Sequence, residues 1–346
     1  MTKLESRSAR VKKKTFNIVL NAFALSLLYL FYLQNKYYSN FLYIESKRVL
    51  FILFIVFQIT NIIVCIKNKN EISYTQKIFE ITKKIFSNFN NNFKKPLNDS
   101  DKNIILFLIV KIFFFPLLLN FFIGNVYFSK NKFIEWGKND FQLNIEYFNS
   151  TLFHLILSVF FAVDTGYFLF SYLFVNKKLK NIVKSVDKTA LGWVSALICY
   201  PPFSNNIDYF VTWYPDTYEN YKNQILALLL NLVIIFTWFI YVWATVALGS
   251  KSANLCNRGI ITRGPYKYLR HPAYVAKNIG WWLATIPMMS VTGFKGTFYL
   301  ILNGIFVTFI YYLRSVTEER HLSHDQEYLE YKEKVRNRFI PSFASK

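Results

Sequence analysis

An all-α, polytopic integral membrane protein of about eight transmembrane helices, ending in a helical hairpin, is what this 346-residue sequence predicts. Three observations carry that expectation. The chain is 53% hydrophobic and 20% aromatic with mean hydropathy +0.22, too apolar for a disordered chain. Its apolar residues gather in runs of the length that crosses a bilayer. Its 41 Lys and Arg outnumber 20 Asp and Glu, a net charge of +21, and the excess gathers in alternate connections, as on the cytoplasmic side of membrane proteins. A soluble nucleic-acid binder of this charge would not carry such runs, so no nucleic-acid partner is expected. Cys65, Cys199 and Cys256, none in CxxC spacing, indicate neither a disulfide framework nor a zinc site.

Each run has its own justification. Basic residues Lys3 to Lys14 precede the run Phe16–Leu33, which is longer than a signal core and is followed by no small-residue cleavage site, so it reads as a retained first span. Further runs cover Val49–Ile66, Ile104–Ile123, Leu152–Val175 and Ile225–Leu248. The last two, Tyr274–Val291 and Thr297–Leu313, are joined by a short turn with Gly293 and Gly296 and so form a hairpin. A shorter run, Ala190–Phe203, contains Pro201-Pro202. Charge decides its status. The connection 67–102 holds eight Lys and four acids, 176–189 holds five Lys and one acid, and 251–270 is wholly basic. By contrast, 124–150 balances three Lys against three acids, and 204–224 sets Lys222 against Asp208, Asp216 and Glu219. Basic and non-basic connections alternate only if Ala190–Phe203 also crosses. The count is then eight, with both termini cytoplasmic. Two parts are expected: 1–246, N-terminal helices with an Asn-rich cytoplasmic linker, and 247–346, a C-terminal core that holds the function.

Lys111, His154 and Asp164 lie inside apolar runs, where ionisable groups are costly and mark function or pairing. The depths of Lys111 and Asp164 differ by roughly 6 Å at 1.5 Å per residue, close enough for an ion pair, which is a structural alternative to a substrate-cavity role for Asp164.

The chemistry gathers near the C-terminus. Pro272 suits a first helical turn and leaves His271 at the cap position. His271, Tyr274, Asn278 and Trp281 then share one helix face. Arg314, Glu318 and His321 share a face where the last span leaves the membrane. Because the two helices form a hairpin, these polar ends are neighbours. Imidazole, phenols (Tyr266, Tyr274), indoles, a carboxylate and a guanidinium suit a zwitterionic, partly cationic cofactor. An interfacial aromatic belt with a solvated helix end accounts for the same residues. HxxH at His321 and His324 lacks a third ligand, so no metal is expected, and no GxGxxG, GxxxxGK[ST] or HExxH occurs.

RGPYKYLRHPAY, the Trp-rich span after it, TEERHL and EYLEYKEKVRNRFIP resemble the C-terminal core of the isoprenylcysteine carboxyl methyltransferases. That core is shared more loosely with phospholipid N-methyltransferases and membrane sterol reductases. The resemblance covers Ala247–Pro341. It implies a pocket for S-adenosylmethionine formed by Arg258, Gly259, Ile260, Ile261, Tyr266, His271, Pro272, Ala273, Tyr274 and Glu318. It also implies catalytic roles for Arg314, which handles substrate, and for Glu318 and His271, and a lipidic or lipid-modified acceptor drawn from the membrane. The chain departs from the family where a small residue commonly follows RHPxY; here Val275, Ala276 and Lys277 stand, with Asn278 after them. An NADPH-dependent reductase of similar architecture, with Arg258, Arg263 and Arg270 available to a 2′-phosphate, and a non-catalytic membrane protein or transporter are the alternatives.

Overall fold

The computed structural model describes residues 3–67, 74–90, 97–206 and 223–340. It is built almost wholly of helices. They are α1 (Lys3–Gln34), α2 (Lys36–Phe41), α3 (Ile44–Lys67), α4 (Tyr74–Asn90), α5 (Asp99–Lys138), α6 (Ile145–Tyr147), α7 (Phe153–Leu173), α8 (Ala190–Leu197), α9 (Gln224–Leu248), α10 (Pro272–Val291), α11 (Gly293–Leu322) and α12 (Gln326–Lys334). The strands β1 (Ser185–Val186) and β2 (Cys256–Asn257) pair antiparallel. Among the described residues, six helical segments are long and apolar enough to cross a membrane: Lys14–Gln34, Ile44–Ile66, Asp99–Lys138, Ile145–Leu173, Gln224–Lys251 and Gly293–Leu322. The hairpin partner α10 adds 20 residues, about the length a bilayer core requires. The protein is an all-α, polytopic membrane protein.

Contacts divide the chain into two units, Met1–Asn120 and Phe121–Lys346. In the first, α1 and α3 run antiparallel. Asn21 donates to Asn61 Oδ1 at 2.7 Å, and the Tyr29 and Phe54 rings stack 4.7 Å apart. Two amides facing each other inside apolar helices fix their register, because an unpaired amide in hydrocarbon is costly.

In the second unit α9 packs against α7 and α10, and α10 against α11. Phe153, Ile234, Trp238, Tyr241, Val242 and Ala276 form the buried seam, while Leu229, Leu232, Val233, Phe236 and Phe239 leave the opposite face of α9 exposed and apolar, as lipid contact requires. Polar pins lock the packing. Asn231 donates to Asn149 at 3.0 Å, Ser129 to Ser158 at 2.8 Å, and Thr245 to Asp164 at 2.7 Å. Asp164 thus finds a donor on α9; of the expected pair, Lys111 belongs to the other unit.

The segment Ala190–Phe203 differs from a plain span. Its helix is only the eight residues of α8, capped by Thr189 and followed by a turn with a cis Pro201-Pro202 bond. Val186, before it, pairs with Cys256, and Asn149 bonds Gln224 at 2.8 Å. Charge alternation expects a crossing here, and none of the six long apolar segments among the described residues covers it. Residues 207–222, with Asp208, Trp213, Tyr214, Pro215, Asp216, Glu219 and Lys222, lie outside the described residues.

Candidate functional site

A cavity lies at the end of the second unit where α8, the strip before β2, α10 and α11 converge. Asp187, Gly192, Ser195 and Ala196 line it from the α8 side, Ala253 to Cys256 from the strip, Tyr274 from α10, and Arg314, Thr317, Glu318, His321 and Leu322 from α11. The face Arg314, Glu318, His321 expected from helical spacing faces this space as a set, joined by Thr317. It is open on one side, and about 50 Å³ of it is accessible to the centres of water-sized spheres, enough for a few waters.

Each lining side chain is held by local chemistry. The Arg314 guanidinium is buried, donates to Asn254 Oδ1 at 3.1 Å, and lies 5.4 Å from both the Tyr274 and the Tyr311 ring centres, a pair of aromatic faces that favours a cation. Asn254 is itself oriented, because its N–H donates to the Tyr172 hydroxyl at 3.0 Å. Glu318 accepts from the Tyr274 hydroxyl at 2.8 Å and is 45% exposed, so its second oxygen remains available to a ligand. On the opposite wall Asp187 accepts from the Thr189 N–H at 2.8 Å and hydroxyl at 2.6 Å, and Arg320 also donates to Thr189. Ser195 meets Thr317 at 3.3 Å across the α8–α11 contact.

Behind the cavity stands a second carboxylate that the helical pattern does not single out. Glu319, 3% exposed, accepts from Arg270 Nε at 2.8 Å, from Arg338 Nη2 at 2.8 Å and Nε at 3.0 Å, and meets His271 Nε2 at 3.1 Å. The same Arg270 donates to the Val335 carbonyl at 3.0 Å, and the backbone N–H groups of Arg270 and His271 donate to the Asn337 and Arg338 carbonyls at 3.0 and 3.2 Å. The returning segment after α12 is therefore stitched to the start of α10 through Glu319. His271 stacks on Tyr274, with ring centres 5.3 Å apart and planes 8° from parallel. It flanks α10 without capping it through its side chain.

The residues expected to hold a cofactor separate into two groups. Tyr274 and Glu318 line the cavity, and His271 stands behind them. Arg258 turns the other way: it is buried, donates to the Ser171 carbonyl at 2.8 Å, and lies 5.2 Å from the Tyr172 ring. Ile260 and Tyr266 pack with Tyr328, Tyr331 and Val335, and Ala273 packs on the α7–α9 seam. Gly259, at φ +97°, donates to Asn257, while Ile261 and Pro272 do not reach the lining. The strip that does line the cavity, Ala253 to Cys256, lies just upstream of the expected one, because the β1–β2 pairing turns the chain between them. Only Asn254, a polar residue beside a basic stretch, offered a signal for it. His321 lines the cavity and His324 is exposed. Among the described residues no group of three or more His, Cys, Asp or Glu is placed to hold a metal.

Residues 226–324 match the model of the isoprenylcysteine carboxyl methyltransferase family. The match runs from α9 to the end of α11 and includes every α10 and α11 residue of the cavity. No curated protein and no solved structure matches the chain. The match lies wholly within the second unit and covers less than a third of the chain.

Proposed function

We propose that this chain is an integral membrane, S-adenosylmethionine-dependent methyltransferase that methylates a carboxylate on a lipidic or prenylated acceptor, with the cavity mouth and both termini on the cytoplasmic side. The observation that carries this reading is the convergence of Arg314, Tyr274 and Glu318 on one cavity inside the matched segment. The donor set suits the cofactor. A zwitterion with a sulfonium and a ribose diol asks for one cation, carboxylates and an aromatic surface; Arg314, Glu318 with Asp187, and Tyr274 supply them.

When bound, S-adenosylmethionine supplies an electrophilic methyl group whose transfer to a carboxylate oxygen forms a C–O bond, breaks the S–C bond and leaves a neutral thioether. The protein's part is positioning and exclusion of water. Glu318 takes hydroxyls or an ammonium through its free oxygen, while Tyr274 fixes the other. Arg314, fixed between two rings and Asn254, presents donors to an anion. A carboxylate acceptor is already ionised at neutral pH, so His271 is not required as a base. Its contact with Glu319 and its stacking on Tyr274 suit a supporting role. The apolar outer faces of α9 and α11 let a lipid approach from the side. The reductase alternative loses support because Arg258 and Arg270 are committed to Ser171 and to Glu319.

The test is calorimetric binding of S-adenosylmethionine and of NADPH to the purified full-length protein, followed by radiolabelled methyl transfer to N-acetyl-S-farnesylcysteine. Binding of the methyl donor alone, lost in Glu318→Ala and Arg314→Met, is expected. Binding of NADPH alone, or donor binding indifferent to both substitutions, refutes the reading.

A further inference from the structure

The cavity wall on the α8 side comes from outside the matched segment, since Asp187, Gly192 and Ser195 all precede residue 226. Asp187 stands between β1 and α8, and its side chain is 5% exposed. Its main chain is fixed on both sides: the Asp187 N–H donates to the Leu255 carbonyl at 2.8 Å, and its carbonyl accepts from the Trp193 indole at 2.7 Å. Both Thr189 donors go to one carboxylate oxygen, Oδ1. The other, Oδ2, accepts no hydrogen bond among the described residues. Arg320 Nη2 lies 3.8 Å from it, beyond hydrogen-bond distance, and donates to Thr189 instead. Gly192 leaves room for this oxygen, because a methyl carbon at that position would stand 2.1 Å from Oδ2. The chain thus holds a carboxylate oxygen against a cavity-lining glycine and leaves it without a donor of its own.

A carboxylate this buried, with one oxygen unspent, is costly unless a donor completes it, and a charged donor completes it best. The two carboxylates of the cavity differ in this respect. Glu318 is 45% exposed, so neutral hydroxyls suffice for its second oxygen. Asp187 has little contact with water and calls for a positive group. We infer that Asp187 binds the primary ammonium at the amino-acid end of the methyl donor, and that Glu318 is left to the ribose hydroxyls. This rests on the methyltransferase reading of α9 to α11. It goes further by giving each carboxylate one part of the ligand, and by placing a binding residue in a stretch of chain that the family model does not reach.

The experiment removes the ammonium from the ligand and the carboxylate from the protein. Full-length protein in detergent is titrated calorimetrically with three probes. They are S-adenosylhomocysteine, its deaminated analogue, in which hydrogen replaces the ammonium, and 5′-methylthioadenosine, which keeps the ribose but lacks the amino-acid end. Wild type, Asp187→Asn and Glu318→Gln are compared; asparagine at 187 keeps an Oδ1 acceptor for Thr189. The wild type is expected to prefer S-adenosylhomocysteine over the deaminated analogue by roughly 30-fold, the low end of what truncating one partner of a buried charge pair costs. Asp187→Asn removes most of that preference and leaves 5′-methylthioadenosine binding unchanged. Glu318→Gln weakens S-adenosylhomocysteine and 5′-methylthioadenosine by the same factor and keeps the preference. If Asp187 serves only Thr189 and Arg320, Asp187→Asn weakens all three probes alike or none of them, and either result overturns the inference. So does a preference that is absent from the wild type, or one that disappears in Glu318→Gln and survives in Asp187→Asn. Those failures leave methyl-donor binding intact. A wild type that binds neither S-adenosylmethionine nor any probe defeats the methyltransferase reading itself, and this inference with it. If Asp187→Asn aggregates, Asp187→Ser carries the same comparison.

Discussion

Two consecutive glutamates in the last membrane helix hold different posts, and exchanging each for glutamine separates them. Glu319 is 3% exposed and gathers Arg270, whose side chain is 7% exposed, together with His271 and Arg338. Glu319→Gln leaves Arg270 buried beside a neutral amide. Removing one partner from a buried ion pair costs about 3–5 kcal/mol, and the low end applies because part of this network can return to water. Arg338, 30% exposed, is that part. At about 2–4 °C per kcal/mol for a unit of this size, the apparent midpoint should fall by about 6–12 °C. Glu318, 45% exposed and bonded by one phenol, should cost about 1 kcal/mol or less on the same change. The assay heats purified full-length protein in detergent at one fixed rate and follows the monodisperse fraction by size exclusion, a readout that holds whether or not unfolding is reversible. S-adenosylmethionine affinity should show the opposite order, with Glu318→Gln the weaker binder of the two folded variants at low temperature. A Glu319→Gln protein that melts with the wild type, or a Glu318→Gln protein that melts first, refutes this division of labour.

Gly304→Ala would put a methyl carbon 2.7 Å from the Trp282 ring. It should therefore push α10 from α11 and destabilise the hairpin by about 1–3 kcal/mol, read as a lower midpoint in the same melt; an unchanged midpoint rejects the close approach. Thr245→Val leaves Asp164 without its 2.7 Å donor and should cost about 1–3 kcal/mol, whereas Thr245→Ser should restore most of it. The Lys184 ammonium lies 2.8 Å from Asp325 and 2.7 Å from Glu327, and bonds to these two carboxylates raise its pKa above the ordinary 10.5. At Asp325, burial pushes upward, but the bonds from Lys184 and Asn257 prevail and hold it below the ordinary 3.8. A raised lysine contributes fully below 10.5 and loses its share as pH climbs past its folded value. A lowered aspartate contributes fully above 3.8 and loses its share as pH falls below that. The stability gap between wild type and Lys184→Met, under about 1 kcal/mol for so exposed a pair, should therefore be flat across the neutral range and close at both extremes. A gap that changes between pH 6 and 9 contradicts the assignment.

Periodicity found what lies within one helix. Arg314, Glu318 and His321 were legible because 3.6 residues per turn alone aligns them. The hairpin was legible because two apolar runs flank two glycines. What escaped depends on partners distant in sequence. Nothing local tells which of two neighbouring glutamates meets a segment that returns after α12, so Glu318 attracted attention and Glu319 did not. Arg258 sits in a basic stretch that invites an anion, yet its Nη1 donates to a carbonyl at the end of α7 and the side chain is turned away from the cavity. Within 190–203 the eight-residue length of α8 was not legible, because hydropathy does not record where hydrogen bonding stops.

The stitch between α10 and the segment beyond α12 also sets an order of assembly during biosynthesis. Arg270 donates to the carbonyl of Val335, 65 positions later in the chain, and that interval contains the whole α10–α11 hairpin. Both helices are synthesised, and can be inserted in the lipid, before the returning segment exists to close over Glu319. The ribosome therefore delivers the apolar half of this site first and its ionic clasp last, so the clasp closes only after both helices can already lie in the lipid.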